Sequence, residues 1–344
     1  MDDYGSVRLG TPHAPIQLSR SGLNLEHPMD RLDGLETRSD LEELFEVLGS
    51  HRDNSGRPAC FTAYTLMANP DFQKLREGGD EYAALDLAET FEYFADTQSS
   101  SYRGAWQLWQ DGLAKGLIFP QSHGREHLNI EVVNYKLRTK AADLMANLEC
   151  DSMAALADVP ELPGLNFTRA FAWGSETDFQ QHARILSDGL QLFQKLFGFR
   201  SQTFTAPSML LHPALHHVLT DNGVEALDCA RRDVFPGCPP RTNRLGQSLL
   251  PGLTAIVRNV AFEPIMGPDL AVTRALDQVA AAFRLRKPAI ISSHRANFSG
   301  LIDSNNRRQG LQSLGLLLSQ IVRRWPDVEF LNAAELVQLF RVKS

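Results

Sequence analysis

Short runs rich in β-branched and aromatic residues alternate with helix-periodic stretches along this chain, and that alternation limits its fold more than any other feature. Strand-like runs occupy 59–67, 116–122, 202–206, 224–229, 254–262 and 288–293. Between them, Ser39-Asp-Leu-Glu42 has the form of a capping box and opens a helix through Leu41, Leu44, Phe45 and Leu48, stopped by Gly49. Val133, Leu137, Leu144 and Leu148 mark a helix after the second run. Thr177-Asp-Phe-Gln180 caps another through Leu186, Leu190, Phe193 and Phe197, ended by Gly198. Further helices are predicted over 272–283 and 311–322. A last strand is expected at 328–331, before a terminal helix that starts at Asn332-Ala-Ala-Glu335. Strands that alternate with helices of about 10–15 residues build a parallel sheet. About seven such units predict an α/β fold of the (β/α)-barrel type, seven-stranded or irregular, as a single domain over 1–344. No Gly-x-Gly-x-x-Gly follows a strand, so a dinucleotide fold has little support. The stretches 1–38, 66–82, 151–176 and 231–252 read as long loops, which in such a domain are functional or lid-forming.

Charge and composition then remove whole classes of function. The net charge of −7 argues against a nucleic-acid partner, which requires a basic face. No apolar run approaches the roughly 20 residues of a membrane span, and the first residues lack the layout of a secretory signal. Cys60, Cys150, Cys229 and Cys238 form no CxxC pair and read as free or buried thiols. A cytoplasmic location is expected. The oligomeric state is not legible.

The polar residues gather where a barrel places its chemistry, at the C-terminal ends of strands. His123 and His127 directly follow the 116–122 strand, spaced so that both imidazoles can converge on one divalent metal, on a helix turn or across a strand-to-helix bend. His294 follows 288–293, Glu263 follows 254–262, and Asp228 sits near the end of 224–229. Asn69 and Asp71 come after the first strand, where Asn69-Pro-Asp-Phe72 reads as a substrate contact or a capped turn. Glu263 reads as a rim ligand or a loop charge, and Arg295 and Asn297 as donors to sugar hydroxyls. His212, His216 and His217 read as structural residues of one helix after Pro207.

Four motifs occur in order: Asp2-Asp3-Tyr4-Gly5, His123-x-x-x-His127, Phe204-Thr-Ala-Pro207 and Ile291-Ser-Ser-His294. Together they resemble the motifs of the polysaccharide deacetylase (NodB-like) carbohydrate esterases, in the glycoside hydrolase/deacetylase (β/α)-barrel superfamily. The resemblance implies that Asp3, His123 and His127 hold a divalent metal, zinc above all, and that Asp2 is the base that deprotonates water. It further implies that His294 is the acid for the leaving group and that Pro207 lies at the substrate. The reaction implied is removal of acetyl groups from an N- or O-acetylated sugar. Two departures stand out. Only Met1 precedes Asp2, where the family has its first strand, so either the start lies further upstream or the aspartates are poorly anchored. The arginine that tunes the base is missing beside Pro207, and Arg125 or Arg295 is expected to replace it.

Two other readings compete. His123-Gly-Arg-Glu126-His127 fits the His-x-x-Glu-His signature of inverzincin peptidases, with Glu126 as base. Such an enzyme needs a ligand glutamate roughly 75 residues downstream, and no Glu occurs between Glu176 and Glu225. The third reading is a glycan-binding barrel without catalysis.

Overall fold

The computed structural model describes residues 1–235 and 239–341. Five parallel strands lie side by side in chain order: β1 (Phe61–Thr65), β2 (Ile118–Ser122), β3 (Thr203–Thr205), β4 (Ala226–Asp228) and β5 (Leu253–Ile256). Ser248–Leu250 adds an antiparallel edge to β5. A separate parallel pair joins β6 (Val260–Ala261) to β7 (Ile291–Ser292). The alternating α/β pattern thus yields a parallel sheet, as expected. The run 254–262 is not one strand: it breaks at 257–259, and its halves pair with different neighbours, β4 and β7.

The weak join between β2 and β3 shows how polar residues enter a sheet. Only Ser122 and Phe204 are in register there. The buried Gln121 side chain supplies the missing acceptor, taking the N–H groups of Gln202 at 2.9 Å and Thr203 at 2.7 Å. Ser201 Oγ accepts from Ser122 N at 2.8 Å. These side chains meet the requirement that buried backbone groups find partners.

The first residues behave as a strand although they are few. Asp2 N donates to Ser293 O at 2.9 Å and Arg295 N to Asp2 O at 3.0 Å. On the other side Tyr64 N donates to Met1 O at 2.8 Å and Leu66 N to Tyr4 O at 2.9 Å. Parallel bridges pair Asp2 with His294 and Tyr4 with Thr65. The aspartates are therefore anchored from both sides, which goes against the alternative that they are poorly held. Two ladder contacts hold a segment that its own length would leave frayed.

Helices cover the sheet much as periodicity indicated, with shifted ends. The helix Arg38–Ser50 is capped by Thr37 and not Ser39: Thr37 Oγ1 accepts from Asp40 N while Asp40 accepts from Thr37 N. The stretch after β2 is two helices, Ile130–Arg138 and Ala142–Glu149. Asp178–Phe197 ends on Gly198 at φ 79°, a left-handed cap that favours glycine. Leu87–Thr97 and Ala105–Ala114 fill the span between β1 and β2. The expected strand at 328–331 does not form. Val328 and Phe330 pack onto the core from the side, and Phe330 N donates to the Asp53 carboxylate at 3.0 Å. Cys60, Cys150 and Cys229 are free thiols, while Cys238 lies outside the described residues. No helix among the described residues is long and apolar enough to cross a membrane.

One helix bears directly on the rim. Ser304–Arg324 presses Gly310 against the turn Arg295–Phe298, so closely that a Cβ there would collide with the Asn297 carbonyl oxygen. Gly315 on the same helix meets nothing nearer than 3.7 Å. Gly310→Ala should lower the unfolding free energy by about 2 kcal/mol through overpacking. Gly315→Ala should raise it by several tenths through helix propensity, roughly 0.5–1 kcal/mol. Urea denaturation of the pair checks both signs.

Candidate metal centre and active site

Three strand ends and the N-terminal segment bring the site together. Asp3 adopts φ 68°, a left-handed conformation in which aspartate is tolerated better than most residues, and this turns its carboxylate toward the end of β2. His123 leaves β2 with its N–H bonded to Thr65 O at 2.9 Å. Gly124 follows at φ 107°, where its bare Cα faces the Pro207 ring. The Arg125 carbonyl then accepts from Met67 N and Ala68 N at 2.9 and 2.7 Å, tying this bend to the exit of β1. Asn129 caps the helix Ile130–Arg138. The two histidines thus converge across a strand-to-helix bend.

Their Nε2 atoms lie 3.3 Å (His123) and 3.4 Å (His127) from Asp3 Oδ1, and one ligand atom from each of the three falls within 4.8 Å of the others. For nitrogen and oxygen donors about 2.0–2.2 Å from a tetrahedral cation, neighbouring donors stand about 3.4 Å apart, so the set fits a divalent metal. His123 Nδ1 bonds Thr205 O at 2.7 Å, which commits that nitrogen to the proton and leaves Nε2 as the lone-pair donor. Burial, helped by the positive charge of Arg8, pushes His127 down to about 3, so its imidazole is neutral. Burial would raise Asp3, but the His123 hydrogen bond and the positive charge of His294 hold its carboxyl well below the usual range. An ionised Asp3 beside a neutral His127 is the state in which these two residues can bind a metal.

Beside the cluster, Asp2 is gripped at both oxygens by the guanidinium of Arg258, at 2.6 and 2.7 Å. Arg258 also meets Asp228 Oδ2 at 2.5 Å and sits 5.3 Å from the centre of the Tyr64 ring. Burial alone would raise the Asp2 pKa, yet Arg258 outweighs it and keeps the carboxyl ionised. On Asp228 burial prevails and the shift is upward. Across the site, His294 Nδ1 bonds Glu263 Oε1 at 2.7 Å. Burial opposes the imidazolium, but the Glu263 hydrogen bond with the charges of Asp3 and Asp2 lifts His294 to about 9. Its side chain is 38% exposed, so it is reachable from solvent, whereas the histidines of the cluster are buried.

The other expected site residues are placed differently. Arg295 is 1% exposed and spends its guanidinium on Asp33 at 2.8 Å, Glu36 at 3.0 Å and Ser6 O at 2.7 Å. Asn297 is buried and donates to Glu263 and to Ser293 Oγ. Asn69 accepts from Val7 N at 2.8 Å and donates to Gly5 O at 2.7 Å. These three hold the rim from beneath, because a buried donor must be spent inside the protein. Glu263 faces His294, and Asp71 caps the helix Phe72–Arg76. Pro207 opens a 3-10 turn after β3, packed over Gly124. Arg125 forks onto Glu126 at 2.6 and 2.7 Å. Neither Arg125 nor Arg295 reaches Asp2; Arg258 does. Glu126 is buried and its carboxylate is engaged by the Arg125 guanidinium. His212 stacks on Phe179 at 4.5 Å and His216 is buried, in keeping with structural roles.

Sequence reasoning missed Arg258, Asp33 and Glu36. A signal for Arg258 existed: with Ile256 and Val260 it shares one face of the 254–262 run, and an arginine on an apolar strand face needs a buried carboxylate.

No family model matches the chain, and no curated protein does. Among solved structures it is similar to a protein from Mycobacterium smegmatis assigned as a polysaccharide deacetylase, at TM-score 0.50 and 10% identity over 99% of this chain and 90% of that one. It is also similar to one from Parabacteroides distasonis assigned as a glycoside hydrolase/deacetylase, at TM-score 0.47 and 11% identity over 90% and 65%. The chain has the NodB-like polysaccharide deacetylase fold that its motifs resemble.

Two outcomes follow from the charge pairs. Arg258→Met should lower the unfolding free energy by about 3–5 kcal/mol, read by urea denaturation at neutral pH, because it strands two buried carboxyls. A raised His294 pKa contributes stability in full below about 6.5 and loses it as pH rises through about 9. Glu263→Gln should return the His294 midpoint toward 6.5 in an NMR titration of the metal-free protein and flatten the stability curve across that window.

Proposed function

We propose that this protein is a metal-dependent deacetylase that removes acetyl groups from an N- or O-acetylated carbohydrate, with Asp2 as base and His294 as acid. The observation that carries the reading is the convergence of Asp3, His123 and His127 between two charge-tuned groups of opposite task. Asp3, His123 and His127 would hold the metal, zinc by donor type, which when bound supplies Lewis-acid activation of water and of the acyl oxygen.

The chain's own residues handle the protons. Asp2, kept ionised by Arg258, takes a proton from the attacking water; two hydrogen bonds fix both of its oxygens. His294, kept protonated by Glu263, donates to the departing nitrogen or oxygen. Two titratable groups pushed in opposite directions are the usual mark of an acid/base pair. Thr205 O fixes the His123 tautomer. The fold reading goes with this: Met1–Tyr4, bridging β7 and β1, and the broken 253–262 stretch, bridging β4 and β7, would make a seven-stranded, irregular (β/α) barrel. The neighbour assigned as a polysaccharide deacetylase supports a sugar substrate.

Asp3→Ala and His123→Ala should each abolish bound zinc and acetate release from acetylated sugars together, read by elemental analysis and an acetate assay. His294→Ala should cut turnover by about 100-fold or more with zinc retained. Full activity in Asp3→Ala would refute the metal assignment, and zinc lost from His294→Ala would make that residue a ligand.

A further inference from the structure

Arg8 stands five residues after Asp3, and its backbone is held on every side. Val7 N donates to Asn69 Oδ1 at 2.8 Å, Leu9 N to Asp33 O at 3.2 Å, and Met153 N to Arg8 O at 2.8 Å. Its side chain is partly buried and lines a narrow crevice with His127 and Asn69. Among the described residues its guanidinium has no hydrogen-bond or ion-pair partner. Of the carboxylates nearby, Asp33 and Glu36 are hydrogen-bonded by Arg295, and the charge of Arg8 reaches Asp33 only at longer range. Glu126 is taken by Arg125. No nitrogen of Arg8 is sealed from water, so its guanidinium is free to meet an anionic group that a ligand brings into the crevice.

His127 cannot be that partner. His127 Nδ1 is buried without a hydrogen bond, but when Nε2 faces a cation Nδ1 carries the proton, and arginine offers only donors. Nor does Arg8 join the proton-handling pairs, which lie along β6 and β7 with Arg258, Glu263 and His294. It flanks the centre on the His127 side. A guanidinium there meets a part of the substrate that is not reacting, and its planar fork suits an anionic oxygen group.

Resting on the deacetylase reading, we propose that Arg8 is a specificity-determining residue that binds an anionic oxygen group of the acetylated glycan, a carboxylate or a sulfate ester, beside the scissile acetyl group. The substrate is therefore an acidic polysaccharide.

The test uses the full-length zinc-loaded protein and three sets of acetylated oligosaccharides: neutral, uronate-bearing and sulfated. The readout is the ratio of kcat/KM on each charged set to that on the neutral set. Arg8→Gln should lower that ratio about 10- to 100-fold, mainly through KM, the effect expected of a lost charge-assisted hydrogen bond. Arg8→Lys should fall between, and the arm that responds, uronate or sulfate, identifies the anion. An unchanged ratio overturns the proposal. So does a kcat loss of equal size on all three sets, which would put Arg8 at the oxyanion. If Arg8→Gln lacks zinc or native circular dichroism, wild-type salt dependence decides: KM for the charged sugar must rise with ionic strength more steeply than for the neutral one, and parallel curves overturn the idea. If wild type releases no acetate from any set, the deacetylase reading fails on its own. Calorimetric binding of the same sugars to wild type and Arg8→Gln then still tests the arginine.

Discussion

The guanidinium of Arg258 is the joint on which the site is assembled. It binds Asp2 from the N-terminal segment, Asp228 from the end of β4 and Ser292 from β7, while its own backbone sits in the break between β5 and β6. One cation thus ties four parts of the chain that pair only briefly through their backbones. A buried arginine is stable only if its charge and donors are met, so the arrangement is demanding. Once formed, it sets the position and ionisation of Asp2 together. Structure and chemistry depend here on the same hydrogen bonds.

A second buried cluster does the same work for the residues that follow Asp3. Arg295 draws Asp33, Glu36 and the Ser6 carbonyl inward, and Glu36 also accepts from Gly5 N and Trp109 Nε1. Asn69 holds Gly5 and Val7 from the opposite side. The segment that follows Asp3 is therefore clamped between two polar networks, which explains how Asp3 is held in a strained left-handed conformation. The donors and acceptors of these networks are spent inside the protein, on the backbone either side of Asp3.

Much of this was legible from residue order. The His123/His127 spacing at a strand end, the position of His294 after an apolar run, and the four ordered motifs pointed to one rim, and the structure brings those side chains together. Roles that depend on what a long side chain reaches were not legible. Arg295 and Asn297 look like surface donors in a polar loop, yet the turn Arg295–Phe298 is buried beneath the helix Ser304–Arg324. Arg258, inside a strand-like run, is the residue that reaches Asp2, whereas Arg125, beside His123 and His127, does not.

Local order determined the element types, the parallel character of the sheet and the identity of the groups able to hold a metal, because periodicity and strand-end position are properties of neighbouring residues. Tertiary structure decided which charge tunes which: Arg258 to Asp2 across 256 residues, Glu263 to His294 across 31. It also decided that Met1–Tyr4 lies in a ladder and that 328–331 does not. Those outcomes turn on burial and on competition for hydrogen-bond partners, and only the folded chain specifies which partners are within reach.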